Sequence, residues 1–356
     1  MKARWLLIGS LVMAAVFAGC AGEDGKDGAD GRDGADGAQG IQGPPGTEQC
    51  MQCHDDEFDL QFALMEIGTQ FEVSKHNEGD TYLRRGAGCA RCHTNEGFQH
   101  HLAHGDSPAR ASASRIGCFT CHAPHSNQNF DVRMTDPTPI DIGGTYDLGQ
   151  SNTCAVCHQA RRPVPGIAEA DSAITSSRWG PHHSTQGNLL TGQGAYVFAG
   201  ATYAVTSHAT IPDGCVTCHM GPSYASSYAE AGGHTFSVTY PTTSDPAGPV
   251  AINRRGCQSV TGCHVGWDTD TDATDYTHGF QEEVHQLLDQ IRGELVARGW
   301  LNANTGLLIP ANIGDLTADD RGAIWNFLFI EEDFSAGVHN PAYTIDVLEA
   351  TLAYLD

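Results

Sequence analysis

The stretch CVTCH, residues 215–219, places two cysteines three positions apart and follows the second one directly with a histidine. The same C-x-x-C-H pattern occurs four more times, as CMQCH (50–54), CARCH (89–93), CFTCH (118–122) and CAVCH (154–158). In this pattern the two thiols can add across the vinyl groups of a haem, while the adjacent imidazole binds its iron from one face. The repeat therefore predicts covalently attached c-type haem.

Zinc binding is the alternative for any single C-x-x-C pair. A structural zinc site takes its ligands in fours and does not require a histidine directly after every second cysteine. Because all five repeats carry that histidine, haem attachment is the better interpretation.

A sixth site is predicted at GCQSVTGCH, residues 256–264, where the cysteines stand farther apart than in the regular motif. Of thirteen cysteines, ten belong to the regular motifs, and Cys20 lies near the N-terminus. The remaining two precede His264, and a disulfide between them would leave that histidine unexplained, so we favour attachment with an enlarged loop. The predicted attachment cysteines are Cys50, Cys53, Cys89, Cys92, Cys118, Cys121, Cys154, Cys157, Cys215, Cys218, Cys257 and Cys263.

The histidines divide into two groups. Eighteen are present, and the six that follow the motifs are the predicted proximal iron ligands: His54, His93, His122, His158, His219 and His264. Each low-spin haem needs one more strong ligand on its other face. His125 follows His122 too closely to reach the same iron, so it is expected to serve a different haem. The predicted distal ligands are His76, His125, His183, His208, His234 and His339, with His182 as the alternative to His183.

The N-terminus has the layout of an export signal. Lys2 and Arg4 precede an apolar run over residues 5–17, and small residues precede Cys20. The ending FAGC is similar to a bacterial lipobox, in which the cysteine is lipidated and becomes the mature N-terminus. We expect residues 1–20 to be a lipoprotein-type signal with Cys20 as the lipidation site; a plain signal peptide or a membrane helix is the alternative.

Glycine recurs at every third position from Gly22 to Gly46, which is the collagen period. The run is short and contains a single G-P-P triplet, so we interpret residues 21–47 as an extended spacer rather than as a trimerising collagen stem.

The formal net charge of −24 makes nucleic acid an implausible partner and suits cationic partners or metal ions. The acidic run WDTDTDATD, from Asp268 to Asp275, is either a solvated loop or a calcium site, although it lacks the glycine and glutamate of an EF-hand.

The predicted architecture has two parts. Residues 48–275, rich in Gly, Pro, Ser, Thr and Asn, are expected to form a haem-binding core of loops and short helices wrapped around a haem array. Residues 276–356 carry apolar residues at helical spacing and are predicted to form three longer helices packed on the core. The first helix is expected to end near Gly299, the second to span Leu316 to Ile330, and the third to begin with Asn340 as its cap and Pro341 in its first turn.

The segments CARCHTNEGF, CFTCHAPH, CAVCHQAR, GPHHSTQGNLLTGQGAYVF, DGCVTCHM, GGHTF and GVHNPAYT together resemble the multihaem c-type cytochromes of metal-reducing bacteria, a group that includes filament-forming outer-membrane cytochromes. The resemblance covers the chain from about Glu48 to its C-terminus. By that resemblance, the six candidate distal histidines fit ligand positions. The enlarged motif ending at His264 departs from the common pattern.

Ligation distinguishes a carrier from an enzyme. A haem with histidine on both faces has no open coordination position, so it passes electrons but does not bind a small substrate. We expect an exported hexahaem carrier without a substrate-binding haem, anchored at the outer membrane or cell surface. Its expected partners are other multihaem cytochromes, outer-membrane conduits and extracellular metal oxides, with filament assembly as a further possibility. The alternative is a multihaem oxidoreductase that reduces a nitrogen or sulfur oxyanion at an open haem.

Overall fold

The computed structural model describes residues 58–78, 81–127, 129–162, 174–227, 229–245, 247–313 and 316–356. The predicted lipidation site Cys20, the glycine-rich spacer and the first attachment motif, Cys50 to His54, lie outside the described residues. All described residues belong to one unit of the chain, Thr47–Asp356.

Most of the regular structure is helical, and the helices differ widely in length. The α-helices are α1 (Phe58–Glu72), α2 (Ala90–His93), α3 (Asn95–His104), α4 (Cys118–Cys121), α5 (Pro124–Asn127), α6 (Asn152–Ala155), α7 (Gln186–Leu190), α8 (Gly214–His219), α9 (Arg254–Cys257), α10 (Asp270–Ala297), α11 (Ala318–Glu331) and α12 (Pro341–Leu355). Single 3-10 turns lie at Thr81–Leu83, Gly149–Ser151, Ser207–Thr210, Gly233–Thr235 and Pro310–Asn312.

The attachment motifs that the structure describes each overlap a short helix of four to six residues. One helical turn places residues i and i+3 on the same side, so the two thiols of C-x-x-C can face one group. Extended backbone at Thr94 ends α2, and extended backbone at His122 ends α4. In the second and third motifs, the turn between the two cysteines is therefore a single helical turn that the cysteine spacing allows.

The described strands form three small antiparallel pairs. They are β1 (Thr138–Pro139) with β2 (Thr145–Tyr146), β3 (Tyr224–Ala225) with β4 (Glu230–Ala231), and β5 (Thr239–Pro241) with β6 (Val250–Ile252). Thr138 lies opposite Tyr146, Tyr224 opposite Ala231, and Tyr240 opposite Ala251. These pairs brace the loops between motifs; within the described ranges no larger sheet is present.

The three C-terminal helices form a protein core, as the apolar spacing predicts. Trp325, Phe327 and Phe329 of α11 are fully buried, and they belong to one apolar cluster with residues of α10, of α12 and of the segment 174–198. The indole nitrogen of Trp325 donates to the carbonyl of Gly194 at 2.8 Å, so the buried polar atom of this side chain is satisfied. None of the described helices has the length and apolar composition needed to span a membrane.

The helix boundaries confirm most of the predicted signals. α10 ends directly before Arg298 and Gly299, whose φ is +71°, and α12 begins with Asn340 as its N-cap and Pro341 in its first turn. The expectation of an acidic loop from Asp268 to Asp275 is wrong, because α10 already begins at Asp270. Thr269 caps it by accepting from the backbone N–H of Asp272, whose carboxylate accepts from the N–H of Thr269 in return.

Candidate functional site

Five of the histidines that follow attachment motifs each lie opposite a second histidine from a distant part of the chain. The separations between ring centroids fall between 6.0 and 6.3 Å. The pairs are His93 with His182 (6.3 Å), His122 with His234 (6.1 Å), His158 with His76 (6.1 Å), His219 with His339 (6.2 Å) and His264 with His208 (6.0 Å).

This separation fits one metal ion between two imidazoles. A histidine nitrogen binds a first-row metal at about 2 Å and lies roughly 1 Å from its ring centroid, so two rings on opposite sides of one ion have centroids about 6 Å apart. Stacked or edge-packed aromatic pairs have no reason to repeat one distance at five separate places. The residues present therefore fit an iron held by two histidines, and the neighbouring cysteines are the thiols that a covalent haem would need.

Hydrogen bonds orient several of these rings. A carbonyl oxygen can only accept, so a ring nitrogen next to one must carry the proton, which leaves the other nitrogen free to bind a metal. The Nδ1–H of His219 donates to the carbonyl of Phe236 at 2.9 Å. The same contact occurs from His122 to Asp131 at 3.2 Å and from His208 to Val338 at 2.9 Å.

Burial keeps most of the paired rings neutral. It lowers the pKa of His76 to about 4, with two nearby imidazoles contributing. It also lowers the pKa of His93 and of His182 to about 4 each, with the positive charge of Arg161 contributing in both cases. These rings are therefore uncharged at neutral pH, and neutral imidazole is the form that binds a metal.

The second and fourth attachment motifs pack directly on each other. The Sγ atom of Cys92 lies 3.9 Å from the carbonyl oxygen of Val156, and the Sγ atom of Cys157 lies 3.7 Å from that of Arg91. The two contacts are reciprocal. Cys92 contacts the residue before Cys157, and Cys157 contacts the residue before Cys92. The two attachment sites are therefore neighbours, although they are far apart in sequence.

The fourth and fifth motifs meet around a buried tyrosine. The hydroxyl of Tyr146 lies 2.9 Å from the Oγ atom of Ser151 and 3.3 Å from the Sγ atom of Cys215. The thiols of Cys215 and Cys154 are within hydrogen-bonding reach of each other. This contact joins α6 to α8.

The fifth and sixth motifs approach through a glycine. A Cβ atom at Gly256 would lie 2.6 Å from the carbonyl oxygen of Cys218, so no larger residue fits without moving the backbone. The second, fourth, fifth and sixth motifs thus contact one another in that order.

The enlarged sixth motif positions its histidine as the regular motifs do. Gly262 and His264 have φ values of +89° and +44°, which turn the backbone back after the wider loop. The side-chain amide of Gln258 donates to the carbonyls of His264 at 3.0 Å and of Trp267 at 2.7 Å. The indole of Trp267 stacks on His264 with centroids 3.9 Å apart. Cys257 and Cys263 are not joined by a disulfide bond in this structure.

The adjacent histidines His182 and His183 have different surroundings. His182 lies opposite His93, whereas Nδ1 of His183 contacts the carboxylate of Glu332 and its ring stacks on the exposed Phe334 at 6.0 Å. The geometry therefore favours His182, the alternative that the sequence left open, as the ring opposite the second motif.

His125 lies at the wall of a cavity of about 330 Å³. Its ring is 6.2 Å from that of Phe119, and both side chains line the cavity together with Gln99 and Arg133. His54, the proximal candidate of the first motif, lies outside the described residues, so the predicted role of His125 stays a prediction.

The surplus histidines and the acidic run do not assemble a further metal site among the described residues. His100 and His104 are 4.4 Å apart on α3, and Nε2 of His100 lies 2.6 Å from Asp106. The carboxylate of Asp270, in the run considered for calcium, accepts from the hydroxyl of Tyr240 at 2.7 Å.

Sequence reasoning missed the residues that support the pairs. Tyr146, Trp267 and Asp333 lie beside motif residues or paired rings, yet none stands in a recognisable pattern in the sequence. Their contacts arise from tertiary packing, so a pattern of local spacing does not reveal them.

No family model matches the chain, and no curated protein matches it. Among solved structures, the chain is similar to the outer cell wall cytochrome OcwA, with a TM-score of 0.51 and 18% sequence identity. The match covers 82% of this chain and 50% of that chain, so the protein spans about half the length of the solved cytochrome. At this identity the likeness concerns the fold alone.

Proposed function

We propose that the protein is a multihaem c-type cytochrome that carries electrons. The observation that supports this most strongly is the repeated 6.0 to 6.3 Å separation between an attachment-motif histidine and a second histidine. The fold likeness to a solved cytochrome points the same way.

Haem, when bound, supplies an iron that gains and loses one electron without breaking a bond to the protein. The cysteines of each motif would hold it through thioether bonds. The paired imidazoles would hold its iron, and the hydrogen bonds at Nδ1 orient several of these rings for that role. We assign His182, rather than His183, to the second motif.

Six haems are proposed, one for each motif. The sixth motif is included because His264 faces His208 at the same separation as in the regular motifs, despite the wider cysteine loop. The first motif, ending at His54, is included on its sequence. His125 is its proposed distal ligand, because it is too close to His122 in sequence to serve that iron and because it faces a cavity.

A carrier is favoured over the alternative oxyanion reductase. A reductase needs one haem with an open or weakly held face. Each of the five motif histidines that the structure describes has a second imidazole opposite it. The direct contacts among the second, fourth, fifth and sixth motifs also provide the close spacing of sites that a carrier needs.

The cellular setting rests on the sequence. We propose export by residues 1–20, lipidation at Cys20 and a spacer over residues 21–47 that holds the cytochrome away from the membrane. The proposed location is the outer membrane or the cell surface. The proposed partners are other multihaem cytochromes, outer-membrane conduits and extracellular metal oxides, with self-assembly into filaments as a further form.

Intact mass and electron paramagnetic resonance of the purified holoprotein test the proposal together. We expect six covalent haems, a lipidated N-terminus, and ferric signals that are all low-spin. Addition of nitrite or cyanide should leave the spectrum unchanged. A stoichiometric high-spin haem that binds either anion would instead support the reductase, and five haems with Cys257 bonded to Cys263 would remove the sixth site.

A further inference from the structure

A buried carboxylate contacts one of the paired histidines. The Oδ1 atom of Asp333 lies 2.6 Å from Nδ1 of His339, the ring opposite His219. The side chain of Asp333 is fully buried, and its other oxygen accepts from the backbone N–H of Ser335 at 3.1 Å and from the hydroxyl of that residue. Asp333 is thus held in place on both sides.

This contact differs from those at the other paired rings. Where His219, His122 and His208 use Nδ1 to donate, the acceptor is an uncharged backbone carbonyl. His158 has Nδ1 at 3.2 Å from the side-chain amide oxygen of Gln186, which is also uncharged. Among the described pairs, the ring of His339 is the one whose ion-pair partner is a carboxylate.

The turn between α11 and α12 is built to bring the two groups together. Phe334 and Ala336 have positive φ values of 61° and 46°, a conformation that residues other than glycine seldom adopt. This strained turn folds the chain back so that Asp333, just after α11, meets His339, just before α12. Gln186 supports it by donating to the backbone carbonyl of Asp333 at 3.1 Å.

We infer that Asp333 is a positioning residue that lowers the reduction potential of the haem held by His219 and His339. The inference rests on the proposed function, since it needs haem at the fifth motif. Asp333 would give this haem a reduction potential different from those of the other haems, whose iron ligands are similar.

The physical reason is ligand basicity. A carboxylate that accepts the Nδ1–H proton draws it away from the ring and raises the electron density at Nε2. A more basic ligand stabilises the ferric iron more than the ferrous iron, so reduction becomes less favourable. Burial strengthens the effect, because water does not screen the charge of Asp333.

Asp333→Asn tests the inference in the haem-loaded protein at one fixed pH. The amide keeps the size of the side chain and removes its charge. A redox titration followed by electron paramagnetic resonance should show one haem shifted to higher potential, with its ferrous-to-ferric ratio raised about tenfold at a given potential, or about 59 mV for one electron. His339→Ala identifies the haem, because its low-spin signal should be the one that is lost.

Glu332→Gln is the matched control. Glu332 precedes Asp333 directly, and its carboxylate also contacts a histidine, but that histidine is the partly exposed His183. Both variants remove one negative charge from adjacent positions. The control should therefore change the ferrous-to-ferric ratio of this haem by less than about twofold if the hydrogen bond from His339 to Asp333, rather than the negative charge alone, sets the potential.

An Asp333→Asn protein whose six midpoint potentials match those of Glu332→Gln would overturn the inference. If Asp333→Asn does not yield folded holoprotein, Asp333→Ser removes the same charge and must raise the same potential. Failure of the proposed function looks different, because the unmodified protein would then lack covalent haem or carry a high-spin iron at the fifth motif.

Discussion

Residues 81–264 and residues 270–356 form their interiors in different ways. In the C-terminal part, aromatic and aliphatic side chains of α10, α11 and α12 pack on one another, with the segment 174–198 added to the same cluster. In the motif-bearing part, the other described apolar clusters are small. One contains Ile140, Tyr146, Ala155 and Leu190, and another contains Ala231, Tyr240 and Ala251.

On the proposed function, the motif-bearing part is the part whose fold would depend on haem. It holds the paired histidines and the motif cysteines, whose polar atoms gain little from packing on one another. Ordering so many loop residues carries a large entropic cost that protein side chains alone do not offset here. Haem, an apolar macrocycle, would supply the missing burial, whereas the C-terminal part already has its own core.

The largest expected effect is that of preventing haem attachment. Protein produced without the attachment machinery should lose structure over residues 81–162 and 206–264, because the burial that stabilises them is absent, while α10, α11, α12 and the segment 174–198 packed on them stay ordered. Hydrogen exchange read by mass spectrometry checks this region by region. Equal protection in both parts, or equal loss in both, would break the comparison.

Trp325→Ala tests the C-terminal core, whose stability comes from protein side chains. Removing this fully buried indole leaves a cavity and an unpaired carbonyl at Gly194, so unfolding free energy should fall by about 3–5 kcal/mol. Denaturant unfolding measures the change, and the haem absorption of the folded protein should stay the same. Tyr276→Ala is the control, since that side chain is 67% exposed and its loss should change stability by about 0.5 kcal/mol or less.

The adjacent histidines give a prediction confined to one haem. His182→Ala should convert the haem of the second motif to a high-spin form, because the ring opposite His93 is removed. His183→Ala, one residue away, should leave every haem low-spin. Electron paramagnetic resonance on the two variants decides the assignment, and the reverse result would restore His183 as the ligand.

The smallest effect is expected at the helix caps. Thr317 caps α11 by accepting from the N–H of Asp320 at 3.1 Å, and Thr317→Ala should reduce stability by about 1 kcal/mol. Thr269→Ala removes the equivalent cap of α10 and should cost about the same. Thermal unfolding measures both, and a large loss of haem in either variant would show that the two parts are less separable than proposed.

Local chemistry explains what the sequence could predict. The two thiols and the histidine of each motif are predicted to hold one group, so their spacing is restricted to a few residues and is visible in the sequence. The three C-terminal helices were predictable for the same reason, since apolar spacing and the signals at Gly299, Asn340 and Pro341 are local.

The histidine pairs were not predictable, because each joins residues that only the tertiary fold brings together. His76 lies opposite His158 of the fourth motif, although the second and third motifs are nearer to it in sequence. His339 lies opposite His219 of the fifth motif. No local pattern separates His182 from His183. The acidic run at Asp270 was missed for a different reason, because its signal is local: Thr269 and Asp272 form a capping box that starts a helix where a loop was expected.

The pairing of His219 with His339 also sets a time order for biosynthesis. A chain is made and exported from its N-terminus, so a pair of rings can close only when its later member has emerged. His158 finds His76 already present, whereas His219 must wait until nearly the whole polypeptide has appeared. Completion of this pair therefore requires synthesis to reach His339, and a product truncated before that residue would leave His219 without its partner ring.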